Sequence, residues 1–219
     1  MTTWEAAQGH ERAFWAARLE KYGLDHYHRA LDCESHQGML PSLARWVGLN
    51  RPGATVLEVG CGPCGLAPWI HCKRRIGIDP LADWFREQGI DYARLGYKAV
   101  LATQGERVGE ALTEAGVQSA EIDIVLCSNV LDHCEKPMVV LSEIAALGHK
   151  DTQLYLAYDE RVGMTPLHPQ TTDAKWVSAS LVDIGWLQQH KIVMLPRFHW
   201  SKVTGTQVEC WRRHGHEAG

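Results

Sequence analysis

At 219 residues, 45% of them apolar, the chain is long enough for one α/β domain or a domain with a small appendage. Its net charge of −4 and pI near 6.3 leave no global basic field, which argues against sequence-independent nucleic-acid binding. No apolar run approaches the roughly 20 residues of a membrane span, and the charged start "MTTWEAAQGHER" lacks the apolar core of a secretory signal. The expectation is a cytoplasmic protein, with no membrane partner and with its seven cysteines reduced.

In chain order, residues 1–50 read as an N-terminal helical cap and 51–219 as the main domain. Trp4, Ala7, Phe14, Trp15 and Leu19 are spaced as a buried helix stripe, closed by Gly23. His26, Tyr27 and His28 in "LDHYHRALD" read as a solvated helix face, with a lid over a site as the other reading. Met39, Leu40, Leu43, Trp46 and Val47 suggest another helix, ended by Gly48 and "RPG".

From residue 54 short apolar runs alternate with helical patterns. "ATVLEVG" reads as a buried strand and "GLAPWIHC" as the helix after it. "RRIGIDP" is a second strand and "LADWFREQG" a short helix; "YKAVLAT" is a third strand, with helical spacing at Val108, Leu112 and Ala115. "IDIVLCS" is the clearest strand, and "KPMVVLSEIAALG" a strongly amphipathic helix. "TQLYLAYD" makes a fifth strand, "DAKWVSASLVDIGWLQQ" a further helix, and "HKIVMLPRFHW" and "TQVECWRR" a terminal hairpin. Regular β–α alternation predicts a doubly wound, mostly parallel seven-stranded Rossmann-like sheet, with the hairpin as an antiparallel addition.

The stretch "VLEVGCGPCG" ends the first strand with a literal GxGxxG at Gly60, Gly62 and Gly65. Such a turn admits a ligand at the carboxyl end of a parallel sheet, and several nucleotide cofactors use it. Two acids narrow the choice. Glu58 beside the turn repels a pyrophosphate but suits a ligand carrying an ammonium and a sulfonium. Asp79, 14 residues after Gly65 at the end of "RIGIDP", is placed to accept hydrogen bonds from ribose hydroxyls, which identifies a nucleoside without saying which.

With "LEVGCGPCG", "IGIDP" and "DIVLCSNVLDHCEKP" in this order and spacing, residues 54–160 resemble the class I S-adenosylmethionine-dependent methyltransferases, in particular their small-molecule branch of the type 11 kind. The resemblance implies the cofactor S-adenosyl-L-methionine. It places Gly60, Cys61 and Gly62 along the methionine moiety, with Gly65 completing the turn and Glu58 near the ammonium. It puts Asp79 on the ribose, Pro80 and Leu81 on the adenine, and Gly105 and Glu106 at the adenine edge. Ser128 and Asn129 flank the cofactor and face the acceptor. The implied activity is methyl transfer to a small molecule or glycan, chiefly at oxygen.

A methyl on a sulfonium is already activated, so the protein need only align the partners and exclude water, adding a base where the acceptor must lose a proton. His133 in "LDHC" and His168 in "MTPLHPQTT" are the candidate bases, since imidazole titrates near neutrality, and Asp159 closes strand five on the same side. A loop-packing role for His133 and a structural hydrogen bond for Asp159 stand beside these readings.

Three rival readings compete. Cys61 and Cys64 form a C-x-x-C, with His71 and Cys72 nearby, but no second properly spaced pair follows, so no metal is expected. A nicotinamide enzyme has only the glycine pattern in its favour, with Glu58 against it. The third is a non-catalytic module of the same fold that binds the cofactor or a protein partner.

Overall fold

The computed structural model describes residues 4–29, 48–161, 164–194 and 203–213. The helix expected over Met39–Val47 lies outside them. Helix α1 spans Trp4–Tyr22 and α2 Leu24–His28. The strands are β1 Arg51–Val59, β2 Cys72–Ile78, β3 Ala99–Leu101, β4 Ile124–Ser128, β5 Gln153–Arg161, β6 Trp186–Met194 and β7 Val203–Arg213. Between them run α3 Ala82–Glu87, α4 Val108–Glu114, α5 Pro137–Ala145 and α6 Ala174–Asp183.

The seven strands form one sheet in the order β3-β2-β1-β4-β5-β7-β6. The first five run parallel, while β7 pairs antiparallel with both β5 and β6. Thus the terminal pair enters with β7 inside and β6 at the edge. Alternate side chains of the central strands feed two cores. Val56, Ile124 and Leu126 enter one, and Leu57, Val59, Val125 and Cys127 the other. Burial on both faces explains why these strands read as continuous apolar runs. Order reverses between β2 and β4 on either side of β1, so the crevice at the carboxyl ends of β1 and β4 is where such a sheet takes a ligand.

Four local expectations are corrected. "GLAPWIHC" forms only a 3₁₀ turn, Ala67–Trp69, not a crossover helix. Six residues, Pro68 among them, separate Gly65 from β2, too few for a helix to run back along the sheet. Arg75 satisfies the freed carbonyls instead, donating from Nε to Ala67 at 2.8 Å and from its guanidinium to Ile70 at 2.9 Å. The late helix stops at Asp183, because Gly185 adopts φ 88° and Trp186 opens β6 with its ring buried. Phe14 turns outward, 38% exposed, while Ala7 is buried and Trp15 half-buried. Tyr27, expected on a solvated face, has no exposed surface and meets Trp15 edge-on at 6.3 Å.

Among the described residues no helix is long and apolar enough to cross a membrane. Helix α6 is started by Asp173, which accepts from the amides of Lys175 at 2.8 Å and Trp176 at 3.1 Å. An Asp173→Ala variant should lose about 1 kcal/mol of stability, read as a lower urea midpoint at unchanged slope.

Candidate cofactor and acceptor site

Strand β1 delivers the glycine turn, and the turn is held from beneath. Gly60 and Cys61 both donate to the carbonyl of Ile78, at 2.7 and 3.1 Å, which locks the turn to the end of β2. Glu58, almost fully buried, accepts from the amides of Leu66 at 2.6 Å and Ala67 at 2.9 Å and from the hydroxyl of Tyr97 at 2.5 Å. Burial pushes its carboxyl up to about 7, even though all three donors favour the ionised form. Asp79 follows the same pattern from β2. Its Oδ2 accepts from Gly62 and its Oδ1 from Leu81, each at 2.8 Å, and burial lifts it to about 6. Tyr92 completes the hold by donating to the carbonyl of Gly62 at 2.8 Å.

Two glycines of the turn do different work. Gly65 has φ +62°, and a Cβ there would lie 1.9 Å from the Tyr97 hydroxyl and 2.5 Å from Glu58. It is required by the protein's own packing. Gly62 has φ +53°, and a Cβ would meet only Trp15, at 4.0 Å. That space belongs to a cavity.

The cavity measures about 190 Å³ and is walled by the turn, by the ends of β2 and β4, and by α1. All twelve residues expected around the cofactor line it: Glu58, Gly60, Cys61, Gly62 and Gly65; Asp79, Pro80 and Leu81; Gly105 and Glu106; Ser128 and Asn129. Glu58 also uses both oxygens to support the turn, through the amides of Leu66 and Ala67 and the Tyr97 hydroxyl. Asn129 holds φ 57°, the one non-glycine residue with positive φ among those described, as the chain leaves β4. Such backbone strain beside a cavity is a marker of a functional position.

Of the residues expected on the acceptor side, His133 lines the cavity and His168 stands behind it. Their rings meet edge to face at 4.3 Å. Asp159 is not among the lining residues; its carbonyl accepts from the Thr172 hydroxyl. The described cysteines other than Cys72 are buried, and Cys61, Cys64 and Cys134 line the same cavity. Burial raises Cys61 and Cys134 well above an ordinary thiol and Cys127 to about 12.

Sequence reasoning missed four contributors. Gln8 and Glu11 of α1 line the cavity beside Trp4 and Trp15. Glu11 accepts from the Trp15 indole at 2.9 Å and lies 3.2 Å from His133 Nδ1. Although burial works to raise it, the hydrogen bond and charge of His133 hold Glu11 below its ordinary value. Phe85 of α3 sits under Trp15, their centroids 5.9 Å apart. Asp132, without exposed surface, joins the two histidines: its Oδ2 is 2.8 Å from His168 Nδ1 and its Oδ1 3.9 Å from His133 Nε2. The acid preceding His133 in "LDHC" was its only local signal.

A glycine turn, a buried acid at the end of β2 and an apolar shelf of Leu81 and Phe85 thus wall one cavity at the carboxyl end of a doubly wound sheet, where that architecture takes its ligands. The comparisons agree. The methyltransferase-domain family profile matches residues 57–156. The N-methyltransferase NodS from Bradyrhizobium japonicum WM9 superposes with TM-score 0.60 at 14% identity, over 80% of this chain and 94% of that one. Magnesium protoporphyrin IX methyltransferase from Synechocystis PCC 6803, solved with bound S-adenosylmethionine, gives 0.58 at 19% identity over 81% and 79%. A methyltransferase from Aquifex aeolicus gives 0.56 at 18% identity over 84% and 95%. At these identities the structures speak for the fold alone. No curated protein matches the chain. Residues 57–156 thus carry a methyltransferase domain, which supports an enzyme that uses S-adenosylmethionine as its cofactor.

The two buried carboxyls make stability depend on pH. Their folded values, about 7 and about 6, exceed the ordinary 4.5 and 3.8, so the folded protein binds protons more tightly than the unfolded chain. Their contribution is full below the unfolded values and is lost as pH rises through about 6 and then about 7. The unfolding free energy, read from urea titrations, should fall between about pH 4 and 7 by on the order of a few kcal/mol. In Glu58→Gln that fall should shrink; an identical profile would show that Glu58 does not titrate in this range.

Proposed function

We propose that the enzyme methylates a small molecule or glycan, at oxygen, and that residues 51–219 carry the chemistry while residues 1–50 cap the site. The observation that carries this reading is the covered cavity. Trp15, Glu11 and Gln8 of α1 close over the glycine turn, which leaves a pocket suited to a small acceptor instead of an open groove for a polymer.

When bound, S-adenosylmethionine supplies a methyl already activated by its sulfonium. The chain's part is to bind, orient and exclude water. The backbone of Gly60, Cys61 and Gly62 lies along the methionine portion, where no side chain intrudes at Gly62. Asp79, its oxygens already fixed by the amides of Gly62 and Leu81, accepts the ribose hydroxyls with its remaining lone pairs. Pro80 and Leu81 pack on the base, and Gly105 and Glu106 border its edge. Glu58 acts through the loop it supports. Ser128 and Asn129 lead from the cofactor toward the acceptor end, where His133 stands.

Oxygen is favoured because a hydroxyl acceptor must shed a proton, and the carboxylate–imidazole group of Asp132, His133 and His168 is built to handle one. Asp159, outside the cavity wall, serves the loop after β5 through its carbonyl bond from Thr172.

S-Adenosylhomocysteine should bind the purified chain by calorimetry. Asp79→Ala should weaken that binding at least tenfold, about 1.4 kcal/mol or more. Gly62→Val should abolish it while costing little more stability than the backbone strain, about 1 kcal/mol. Gly65→Ala should instead lower stability outright, because its Cβ has no room. Unchanged affinity in Asp79→Ala would move the ribose elsewhere. Methyl-labelled cofactor incubated with a cell extract should place label in the low-mass or glycan fraction. Label in protein or nucleic acid would overturn the proposed acceptor class.

A further inference from the structure

We propose that Asp132, His133 and His168 bind one divalent transition-metal cation at the acceptor end of the cavity. The proposal rests on the cofactor reading above and deepens it by naming what prepares the acceptor.

The donor set comes first. One ligand atom from each of the three residues lies within 4.8 Å of the other two. Two imidazole nitrogens and one carboxylate oxygen suit zinc, and equally iron or manganese, which hold such ligands at about 2 Å. Asp132 has no exposed surface, so its charge needs compensation inside the protein. What faces it is imidazole on both sides, His168 Nδ1 on Oδ2 and His133 Nε2 toward Oδ1. Both rings are largely buried, with side chains 18% and 13% exposed for His133 and His168.

A second observation concerns the far nitrogen of His133. A metal-bound imidazole characteristically gives its other N–H to a carboxylate, which fixes the tautomer and aims the ring. Glu11 Oε2 lies 3.2 Å from His133 Nδ1. With the proton on Nδ1, the lone pair of Nε2 points toward Asp132 and Asn129, whose amide nitrogen is 3.5 Å away. Glu11 belongs to helix α1, 122 positions before His133; its Oε1 accepts from the Trp15 indole in the same helix, which leaves Oε2 to face His133.

The scaffold is braced as a preorganised site requires. His133 donates its amide to Val130 at 2.9 Å. His168 and Thr165 exchange backbone bonds at 3.1 and 2.9 Å. Gln170 ties the two loops together, its amide reaching Asp132 O at 3.3 Å and its side chain Glu135 O at 2.9 Å.

Three protein ligands leave positions open, and His133 shares the cavity wall, so those positions face the acceptor. A hydroxyl placed there loses its proton more easily: the O–H bond breaks, its electron pair stays on the cation-bound oxygen, and the proton passes to water. The imidazoles then serve as ligands instead of taking the proton themselves. The acceptor class this favours is one with adjacent oxygens, such as a diol, a hydroxy acid or an enol, which can chelate.

The test uses the full chain with any affinity tag removed, stripped with chelator and titrated with Zn(II), Mn(II) and Co(II). We expect close to one equivalent of cation per chain, and a Co(II) spectrum with the absorption bands of mixed nitrogen and oxygen ligation. His168→Ala and Asp132→Asn should each weaken binding by at least roughly tenfold, whereas His71→Ala, at an exposed histidine, should not. Glu11→Gln should weaken it less than either. S-Adenosylhomocysteine binding, measured on the same samples, reports separately on the fold and the cofactor. Wild-type protein that binds the nucleoside but takes up no cation at micromolar concentration sinks this proposal alone. Cation uptake equal in wild type, His168→Ala and Asp132→Asn sinks it as well. Cation uptake without nucleoside binding leaves this site standing and removes the cofactor reading.

Discussion

Everything at the site hangs on carboxylates buried beneath a glycine turn. Taking Glu58 and Asp79 out of water is costly, and the raised values of both carboxyls express that cost. What offsets it is a set of short bonds from amides that would otherwise be orphaned in a loop with no helix behind it. Leu66 and Ala67 donate to Glu58, Gly62 and Leu81 to Asp79. A third partner, Tyr97, reaches Glu58 across the space that only a glycine at position 65 leaves free. The turn is thereby held open, its own amides directed inward and its outer surface clear for a ligand.

The same constraint explains why the first crossover is so short. In a doubly wound sheet the segment after β1 normally returns as a helix whose dipole faces the ligand. Here a 3₁₀ turn suffices, because side chains supply what a helix would: Glu58 takes the amides and Arg75 takes the carbonyls of Ala67 and Ile70. Apolar spacing in "GLAPWIHC" looks helical because Leu66, Ala67 and Ile70 are indeed buried, but periodicity reports burial and not the path of the backbone. Trp186 misled in the same way, since a buried ring suits a strand as well as the end of a helix.

The central strands β1 and β4 were legible because each carries a continuous buried run. The residues expected around a cofactor come together in one cavity because the turn, "IGIDP" and "SN" each sit at a strand end, and strand ends converge in this fold. That Glu58 also holds its own loop could not be read, because where a carboxylate points is a matter of rotamer. On the other side His133 and His168 were named but their carboxylate partners were not, for a different reason. Glu11, Asp132 and His168 lie on three separate elements and meet only through tertiary packing. Spacing rules for metal ligands look for close pairs, so they weighed the buried cysteines, whose raised values make them poor ligands, and passed over histidines 35 positions apart.

Charge joins the two halves. Glu11, Asp79 and Glu106 line one small cavity, with Glu58 just beneath and Asp132 just behind. A pyrophosphate entering that field is repelled from several sides, whereas a sulfonium and an ammonium are welcome. As positive charge on sulfur is lost during transfer, that attraction fades, so the field favours binding more than it lowers the barrier. Acceleration must then come from alignment and from preparing the acceptor, and helix α1 reaches both ends of the cavity where these would occur. Trp15 packs on Phe85 over the cofactor side, and Glu11, four residues earlier on the same helix, reaches His133 on the acceptor side. One helix surface therefore borders both ends of the cavity.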